Sequence, residues 1–329
     1  MRAAQITAYG GPEVITISNH APRPVPAEGQ ILVQVRAASL NPVDSALRAG
    51  HLHQMVPLTF PATIGGDFAG VVVEAMPVSG FSVGDEVYGQ ANPLLGGTGS
   101  LAEFAAARGG FTALKPRTVD FATAASLPLV GASAEQAIVE HLDVRPGQRI
   151  LIHGAAGGVG MIAVQLAKHR GAFVIATGFT NDLEFVKGLG ADEVIDARIR
   201  KFEEQVREID GVLDTTRGDT AARSYRVLKR GGVLVSLTAQ PDQARMKEAG
   251  VTAIAQFTQP TTERLTRLAT LVDQGVVVPR VDRVFPLDQA AAAFSYNDAG
   301  NPRGKVVILT FTAPAGAPRG PPPPAGSGT

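Results

Sequence analysis

The chain contains no cysteine among its 329 residues. This absence excludes disulfide bonds, catalytic thiols and every zinc site that uses thiolate ligands. An excess of one charge is also missing, because 30 lysines and arginines balance 30 aspartates and glutamates. A formal net charge of zero provides no overall field that would attract nucleic acid or an anionic membrane, and we expect neither as a partner.

Long apolar runs are absent as well. No stretch supplies the roughly 18 uninterrupted apolar residues of a membrane-spanning helix, and Met1–Gly10 lacks the apolar segment of a secretory signal. We therefore expect a cytoplasmic protein. Hydrophobic residues make up 45% of the chain, which is enough for a large core, and the length suggests two domains at about 100 to 200 residues each.

Two textures divide the chain. Short apolar segments separated by Gly and Pro indicate a β-rich region over the first 120 residues, for example Ile31–Val35, Ala69–Val73 and Asp85–Tyr88. From Phe121 to about Gln274, helical and strand patterns alternate. The elements predicted there are strands Arg149–His153, Phe173–Thr177, Glu193–Ile195, Gly211–Asp214 and Val233–Leu237, and helices Met161–Arg170, Asp182–Leu189, Thr220–Lys229 and Thr261–Gln274. This alternation predicts a doubly wound parallel α/β sheet.

The carboxy-terminal part returns to β character in Val276–Phe285 and Lys305–Thr310, which we expect to rejoin the first region. From Ala313 the residues are almost all Pro, Gly, Ala, Ser and Thr. Such a segment has no large apolar side chain to offset its ordering entropy, so we predict disorder for residues 313–329.

A glycine-rich turn follows the predicted strand Arg149–His153 and opens a helix, in the sequence Arg149-Ile-Leu-Ile-His-Gly-Ala-Ala-Gly-Gly-Val-Gly160. In this setting the pattern is a dinucleotide-binding fingerprint, because Gly157 lets the backbone approach a pyrophosphate and Gly160 lets the helix pack on the strand. The alternative is a turn that only connects strand to helix. The residues that we expect at the cofactor are Ala155, which replaces the first glycine, Ala156, Gly157, Gly158, Val159 and Gly160.

The end of the second strand of this unit distinguishes NAD from NADP. NAD enzymes usually place an acidic residue there for the ribose 2′-hydroxyl, whereas this chain has Thr177, Gly178, Phe179 and Thr180. A 2′-phosphate is therefore not repelled, and we expect NADPH, with Thr177 and Thr180 beside it. Against this, no Arg or Lys follows until Lys187.

Several motifs occur in a fixed order along residues 1 to about 312. Besides the fingerprint they are Asn41-Pro-Val-Asp44, Gly65-Gly-Asp-Phe-Ala-Gly70, Gly84-Asp-Glu-Val-Tyr-Gly89, Gly99-Ser-Leu-Ala-Glu-Phe104, Ala125-Ser-Leu-Pro-Leu129 and Leu189-Gly-Ala-Asp192. Together they resemble the zinc-independent quinone oxidoreductases of the medium-chain dehydrogenase/reductase superfamily. The resemblance implies a GroES-like β-rich catalytic domain, residues 1–121 and 276–312, with a Rossmann domain, residues 122–275, inserted in it.

The resemblance also implies metal-free chemistry. Zinc-dependent relatives carry a Cys where Asn41 stands and a His where Gly66 stands. Metal-free relatives use NADPH to reduce a quinone, or the C=C bond of an α,β-unsaturated carbonyl, and the nicotinamide supplies the hydride. A homodimer is implied too, formed by edge strands of the Rossmann sheets, for which Val251–Thr258 is the candidate.

Site residues follow from the matched positions. Asn41 is expected to donate a hydrogen bond to substrate or nicotinamide, or else to form a turn. Some relatives place a Tyr where this chain has Ala46, which leaves Asp44, the weakly acidic Ser45 or water as the proton source. Asp44 alternatively caps a helix that starts near Ser45.

Further cofactor residues are implied by the same resemblance. They are Ser133, which alternatively caps a helix, and Thr215, Leu237 and Lys305.

Two other functions stay open. One is an enoyl-thioester reductase, which would need basic residues such as Arg23, Arg36 and Arg48 gathered at the mouth of a channel. The other is an NADPH-binding structural or regulatory protein with little activity.

Overall fold

The structure is a computed structural model that describes residues 1–300 and 302–311. The tail for which disorder is predicted, residues 313–329, lies outside these residues. Within the described part of the chain, no helix combines the length and the apolar character needed to cross a membrane.

The β-rich part of the molecule is built from both ends of the chain. Its strands and helices from the amino-terminal side are β1 (Ala3–Ile6), β2 (Ile15–Ser18), β3 (Gln30–Ser39), α1 (Pro42–Arg48), β4 (Ala62–Thr63), β5 (Asp67–Ala75), β6 (Glu86–Gln90), β7 (Phe104–Arg108), β8 (Thr112–Leu114) and α2 (Phe121–Ala125). The next helix, α3 (Pro128–Glu135), packs against the central part of the chain.

The central part of the chain alternates strands and helices. Its elements are β9 (Arg149–His153), α4 (Gly158–His169), β10 (Phe173–Gly178), α5 (Leu183–Gly188), β11 (Glu193–Asp196), α6 (Phe202–Gln205), β12 (Ile209–Asp214), α7 (Thr220–Ser224), β13 (Leu228–Ser236), α8 (Gln243–Ala249), β14 (Thr252–Ala255) and α9 (Thr262–Asp273). The carboxy-terminal elements are β15 (Val281–Pro286), α10 (Ala290–Ala299) and β16 (Lys305–Leu309).

The central strands form one parallel sheet with the spatial order β11-β10-β9-β12-β13-β14. The first strand along the chain is therefore in the middle, and the chain winds outward in both directions, as in a Rossmann fold. Buried side chains of β9 and β10, such as Ile150, Ile152 and Val174, share a core with α4. The predicted doubly wound sheet is confirmed.

The β-rich part contains a larger sheet with the order β15-β16-β3-β5-β6-β8, with β7 paired to β3, and a small sheet β2-β1-β4. In the larger sheet β16 pairs antiparallel with β3, so that Val307 lies opposite Ser39. The two ends of the chain therefore form one sheet, and the residues of the parallel sheet lie between these ends in the sequence. This arrangement confirms the predicted fold class, and the exact boundaries at residues 121 and 276 stay predictions.

Several predicted elements begin or end at other residues in the structure; strand β13, for example, begins at Leu228 and not at Val233. The predicted helix Thr220–Lys229 ends at Ser224, because the carbonyl of Val227 accepts a hydrogen bond from Ile209 and the chain enters β13. The strand predicted from Val276 begins at Val281. The helix predicted near Ser45 begins at Pro42, whose fixed φ suits the first helical position.

Candidate active site

The glycine turn after β9 leaves space on one side and is tightly packed on the other. A Cβ built on Gly160 would lie 2.2 Å from the carbonyl oxygen of Gly154, so only glycine fits where α4 crosses the turn. A Cβ on Gly157 would meet only that same oxygen, at 3.4 Å. The backbone at Gly157 is therefore accessible to a ligand, and the first N–H groups of α4 are oriented as an anion site requires. These residues fit a dinucleotide.

The end of β9 is held by the hydroxyl groups of two threonines. His153 hydrogen-bonds the Thr177 hydroxyl through Nδ1 at 3.1 Å, and the Thr215 hydroxyl donates to the His153 carbonyl at 2.8 Å. Burial, followed by the charge of Arg223, lowers the pKa of His153 to about 3. The histidine is therefore neutral, and Thr177 and Thr215 position the turn through their hydrogen bonds to His153.

Asn41 lies at the start of α1 and is almost fully buried. The ammonium group of Lys305 donates to Asn41 Oδ1 at 2.7 Å and also to the carbonyl of Leu40. The amide nitrogen of Asn41 donates to Asp67 Oδ2 at 2.7 Å. A cation on the oxygen and a carboxylate on the nitrogen fix the orientation of the amide, whose nitrogen carries a second proton.

Asp67 is the acceptor at the centre of this network. Ser39 donates to its Oδ2 at 2.9 Å, while the Leu129 backbone N–H, at 2.9 Å, and the Gln90 side chain donate to Oδ1. Burial raises the pKa of Asp67, and the nearby Lys305 ammonium acts in the opposite direction. Burial likewise lowers the pKa of Lys305, against the two aspartates. Asn41 therefore links a buried lysine to a buried carboxylate, and both oxygens of Asp67 accept hydrogen bonds.

Asp44 caps α1 from its third position. Its Oδ2 accepts the backbone N–H of Asn41 at 2.8 Å, as in a capping box. Its Oδ1 has no hydrogen-bond partner among the described residues. Burial, and then the charge of Asp67, raises the pKa of Asp44 to about 7. The group therefore serves as a cap, and its role as a proton source stays a prediction.

Ser45 is directed to another helix. Its hydroxyl donates to Asp298 Oδ1 on α10 at 2.6 Å, and Arg48 donates to Oδ2 of the same carboxylate at 3.1 Å. The contact joins α1 to α10. Ser45 therefore has a structural partner, and its predicted catalytic role receives no support from this geometry.

The glycine turn and the Asn41 network meet through β16. Gly157 forms a parallel bridge with Gly304, and a Cβ on Gly158 would lie 3.1 Å from Lys305 Cδ. Gly304 has φ +107°, and a side chain there would collide with the carbonyl of Arg280. The lysine predicted from the resemblance as a cofactor residue thus stands between the cofactor turn and Asn41.

The chain matches known families over most of its length. Residues 27–141 match the alcohol dehydrogenase GroES-like domain, and residues 189–308 match the zinc-binding dehydrogenase domain. A 2-methylene-furan-3-one reductase of Solanum lycopersicum is 37% identical, over 94% of this chain and 79% of that protein. The NADPH-dependent alkenal/one oxidoreductase of Arabidopsis thaliana is 36% identical with the same coverage.

Solved structures agree. The quinone oxidoreductase of Coxiella burnetii superimposes with a TM-score of 0.86 at 32% identity, over 94% of this chain and 99% of that one. The chain belongs to the medium-chain dehydrogenase/reductases, in the zinc-independent quinone oxidoreductase branch. The Escherichia coli quinone oxidoreductase complexed with NADPH superimposes with a TM-score of 0.82 at 25% identity, over 94% of this chain and all of that one.

Although one matching domain of this quinone oxidoreductase-type protein is described as zinc-binding, the residues present do not fit a zinc ion. Zinc prefers thiolate and imidazole ligands. A Cβ on Gly66 would lie 2.6 Å from Gln90 Oε1 and 3.1 Å from Asn92 Nδ2, so amide groups and not a zinc ligand occupy the space beside this glycine. The ammonium of Lys305 stands beside Asn41. The site therefore has the Asn41 amide at the position of a zinc ligand, and the Lys305 side chain beside it.

The other predicted cofactor residues of this oxidoreductase have varied surroundings. Ser133 lies inside α3, which begins at Pro128, so Ser133 does not cap that helix. Its hydroxyl bonds to the Leu129 carbonyl at 2.8 Å and to Thr258 at 2.7 Å. Leu237 follows β13 and donates its N–H to Asp214 at 3.0 Å. Thr180 is exposed just after β10.

Sequence reasoning missed the central acceptor of the network. Asp67 and Gly66 both lie in the motif Gly65-Gly-Asp-Phe-Ala-Gly70, one of those that carry the family resemblance. A charged residue within an otherwise small and apolar motif that begins a buried strand was the available signal. Gln90 gave no such signal, because only the pairing of β5 with β6 brings it to Asp67.

Proposed function

We propose that the protein transfers hydride from NADPH to a quinone or to the β carbon of an α,β-unsaturated carbonyl. One observation carries the proposal: the open glycine turn lies against the Lys305–Asn41 pair through the Gly157–Gly304 bridge. A dinucleotide bound at the turn therefore extends toward a buried amide and ammonium. Relatives named for reduction of a furanone, an alkenal or alkenone, and, at 28% identity and a TM-score of 0.81, a 2-haloacrylate support this chemistry.

The residues of the chain have distinct roles in this proposal. Bound NADPH supplies the hydride. The N–H groups at the start of α4 bind its pyrophosphate. The second amide proton of Asn41 is offered to the nicotinamide or to the substrate oxygen, where negative charge develops, and Lys305 and Asp67 hold the amide in that orientation. The final proton comes from Asp44 or from water, because Ser45 is held by Asp298.

A homodimer through β14 is part of the proposal. The strand forms one edge of the parallel sheet, and the large side chain of Phe257, just beyond it, is 66% exposed. An unpaired edge beside an exposed aromatic side chain favours pairing with a second copy.

Several relatives are named as chloroplastic or mitochondrial proteins, and the cytoplasmic location of this chain stays a prediction.

The thioester alternative receives less support. Arg23 pairs with Glu74 at 2.7 Å, Arg36 lies over Phe311, and Arg48 is buried against Asp298. Each of the three arginines has its own local partner, so they do not form a common basic mouth for a carrier arm. The third alternative, an NADPH-binding protein with little activity, differs from both enzymes in that it turns over none of these substrates.

The test is steady-state turnover with quinones, enones and enoyl thioesters, each with NADPH and with NADH. We expect turnover of quinones or enones, with a higher kcat/KM for NADPH. Preference for enoyl thioesters would favour the second function, and binding of NADPH without turnover of any substrate would favour the third.

A further inference from the structure

Two arginines from distant parts of the chain flank the segment Phe179–Asp182, which follows β10. The guanidinium carbon of Arg198 lies 4.6 Å from the centre of the Phe179 ring. On the other side, Arg303 donates through Nε to Asp182 Oδ1 at 2.6 Å and through Nη2 to the Asn181 carbonyl. Sequence spacing gave no sign of either contact.

The segment stands where a Rossmann fold binds the adenosine ribose. The ribose hydroxyls lie at the carboxyl end of the second strand, which is β10 here. A Cβ on Gly178 would meet only Val186 and Asp182 carbon atoms, at 3.5 and 3.7 Å, so a ribose finds an ordinary contact surface. Because Gly178 pairs with Asp196 of β11, the loop after β11 brings Arg198 to the same edge.

We propose that Arg198 and Arg303 bind the 2′-phosphate of NADPH, and that Asp182 holds Arg303 in the absence of this phosphate. The inference rests on NADPH as the cofactor. Arginine presents a planar set of donors that matches phosphate oxygens. The Arg198 guanidinium lies over the Phe179 ring and donates no hydrogen bond to the described residues, and the backbone N–H of Arg198 donates to Asp196 Oδ1 at 2.9 Å.

The carboxylate of Asp182 distinguishes this arrangement from a simple pair of phosphate-binding arginines. Its side chain is only 13% exposed, and Arg303 is its ion-pair partner. A phosphate that recruits Arg303 competes with this carboxylate and is also repelled by it. Removing the charge of Asp182 is therefore expected to strengthen NADPH binding, which is the opposite of the effect of removing either arginine.

Calorimetric titration of the full chain with NADPH and NADH, and with adenosine 2′,5′-bisphosphate and 5′-AMP as fragments, tests the inference. Loss of a charge-assisted contact typically corresponds to roughly 10-fold or more in affinity, so Arg198→Gln and Arg303→Gln are expected to weaken NADPH by that factor and leave NADH unchanged. Asp182→Asn is expected to tighten NADPH and the bisphosphate only. Added salt is expected to weaken NADPH more than NADH.

The matched control is Arg230→Gln, which removes an arginine near the amino end of β13, away from the carboxyl ends of the strands. It is expected to change neither affinity. If the arginine variants bound NADPH and NADH with equally weakened affinity, or bound NADPH as tightly as wild type, the assignment of the two arginines would be wrong. NADPH would still be the cofactor. A wild-type protein without preference for NADPH would contradict the cofactor as well as this inference.

Discussion

Gly157 and Gly160 stand in the same turn but lack a side chain for different reasons. Gly157 has φ −77° and open space at its Cβ position, whereas a Cβ on Gly160 would collide with the backbone of Gly154 and Ala155. Gly157→Val is therefore expected to abolish NADPH binding and to leave the thermal unfolding temperature nearly unchanged. Gly160→Val is expected to lower that temperature strongly.

Thermal unfolding and NADPH titration on the same preparations check this pair. The contrast matters because general destabilisation lowers both quantities and would reveal little about the ligand. A folded Gly157→Val protein with wild-type NADPH affinity would show that this turn does not bind the pyrophosphate.

Asp44 makes stability depend on pH. Its folded-state pKa, about 7, lies above the ordinary value of 3.8, so between these values the folded protein holds more protons than the unfolded chain. The contribution of this group to stability is complete below 3.8 and is lost as the pH rises through about 7. In Asp44→Asn, which keeps an oxygen for the Asn41 N–H, this part of the pH dependence disappears.

Urea unfolding of wild type and variant across this pH range measures the effect. The stability of wild type relative to Asp44→Asn is expected to fall toward neutral pH. Asp85→Asn, which alters a carboxylate that accepts the Ser82 N–H at 2.8 Å, is the control. A constant difference between wild type and Asp44→Asn at every pH would contradict the raised pKa.

Single residues differed in how well the sequence revealed them. The fingerprint glycines were predictable because a side chain on Gly160 would collide with the turn, and the lack of one on Gly157 leaves its backbone open to a pyrophosphate. Arg303 was not, since its contact with Asp182 depends on a chain end returning to the Rossmann part of the molecule. The first basic residue after the second strand is Lys187, so the linear sequence shows no cation at the position of the 2′-phosphate.

At the scale of elements, strand pairing decided the structure of a segment whose apolar spacing predicts a helix. The apolar spacing of residues 220–229 suits a helix, but Val227 and Leu228 are buried and join β12 and β13. Local spacing does not reveal this competition, because the hydrogen bonds come from Ile209. Strands β9 and β10 were predicted closely, since fully buried parallel strands have continuous apolar sequences.

Strand β14 carries the prediction for assembly. Gln256 donates its N–H to Ser236 of β13, and because successive N–H groups alternate in direction, the N–H of Ala253 points away from β13. Ala253→Pro removes this outward donor and leaves the donors to β13 in place. We expect a dimer for wild type and a monomer for the variant by light scattering.

Ala253→Ser keeps the N–H and is expected to remain dimeric. A wild-type mass of 34.1 kDa at dilute concentration would contradict pairing through this edge. A dimer that persists in Ala253→Pro would place the interface elsewhere.

At the scale of the whole molecule, the site exists only because the two ends of the chain meet. Lys305 reaches Asn41, and Gly304 reaches Gly157, through the pairing of β16 with β3. The motif order predicted this insertion by resemblance, but the role of Lys305 as the cation beside Asn41 required the folded arrangement.

The most direct test of hydride transfer uses NADPH deuterated at the transferring position of the nicotinamide, with an enone as substrate. We expect the product to carry deuterium at the β carbon, with the α position filled from solvent, both before and after dialysis against a metal chelator. Product without deuterium at the β carbon, or transfer lost with the chelator and restored by zinc, would contradict metal-free hydride transfer from NADPH.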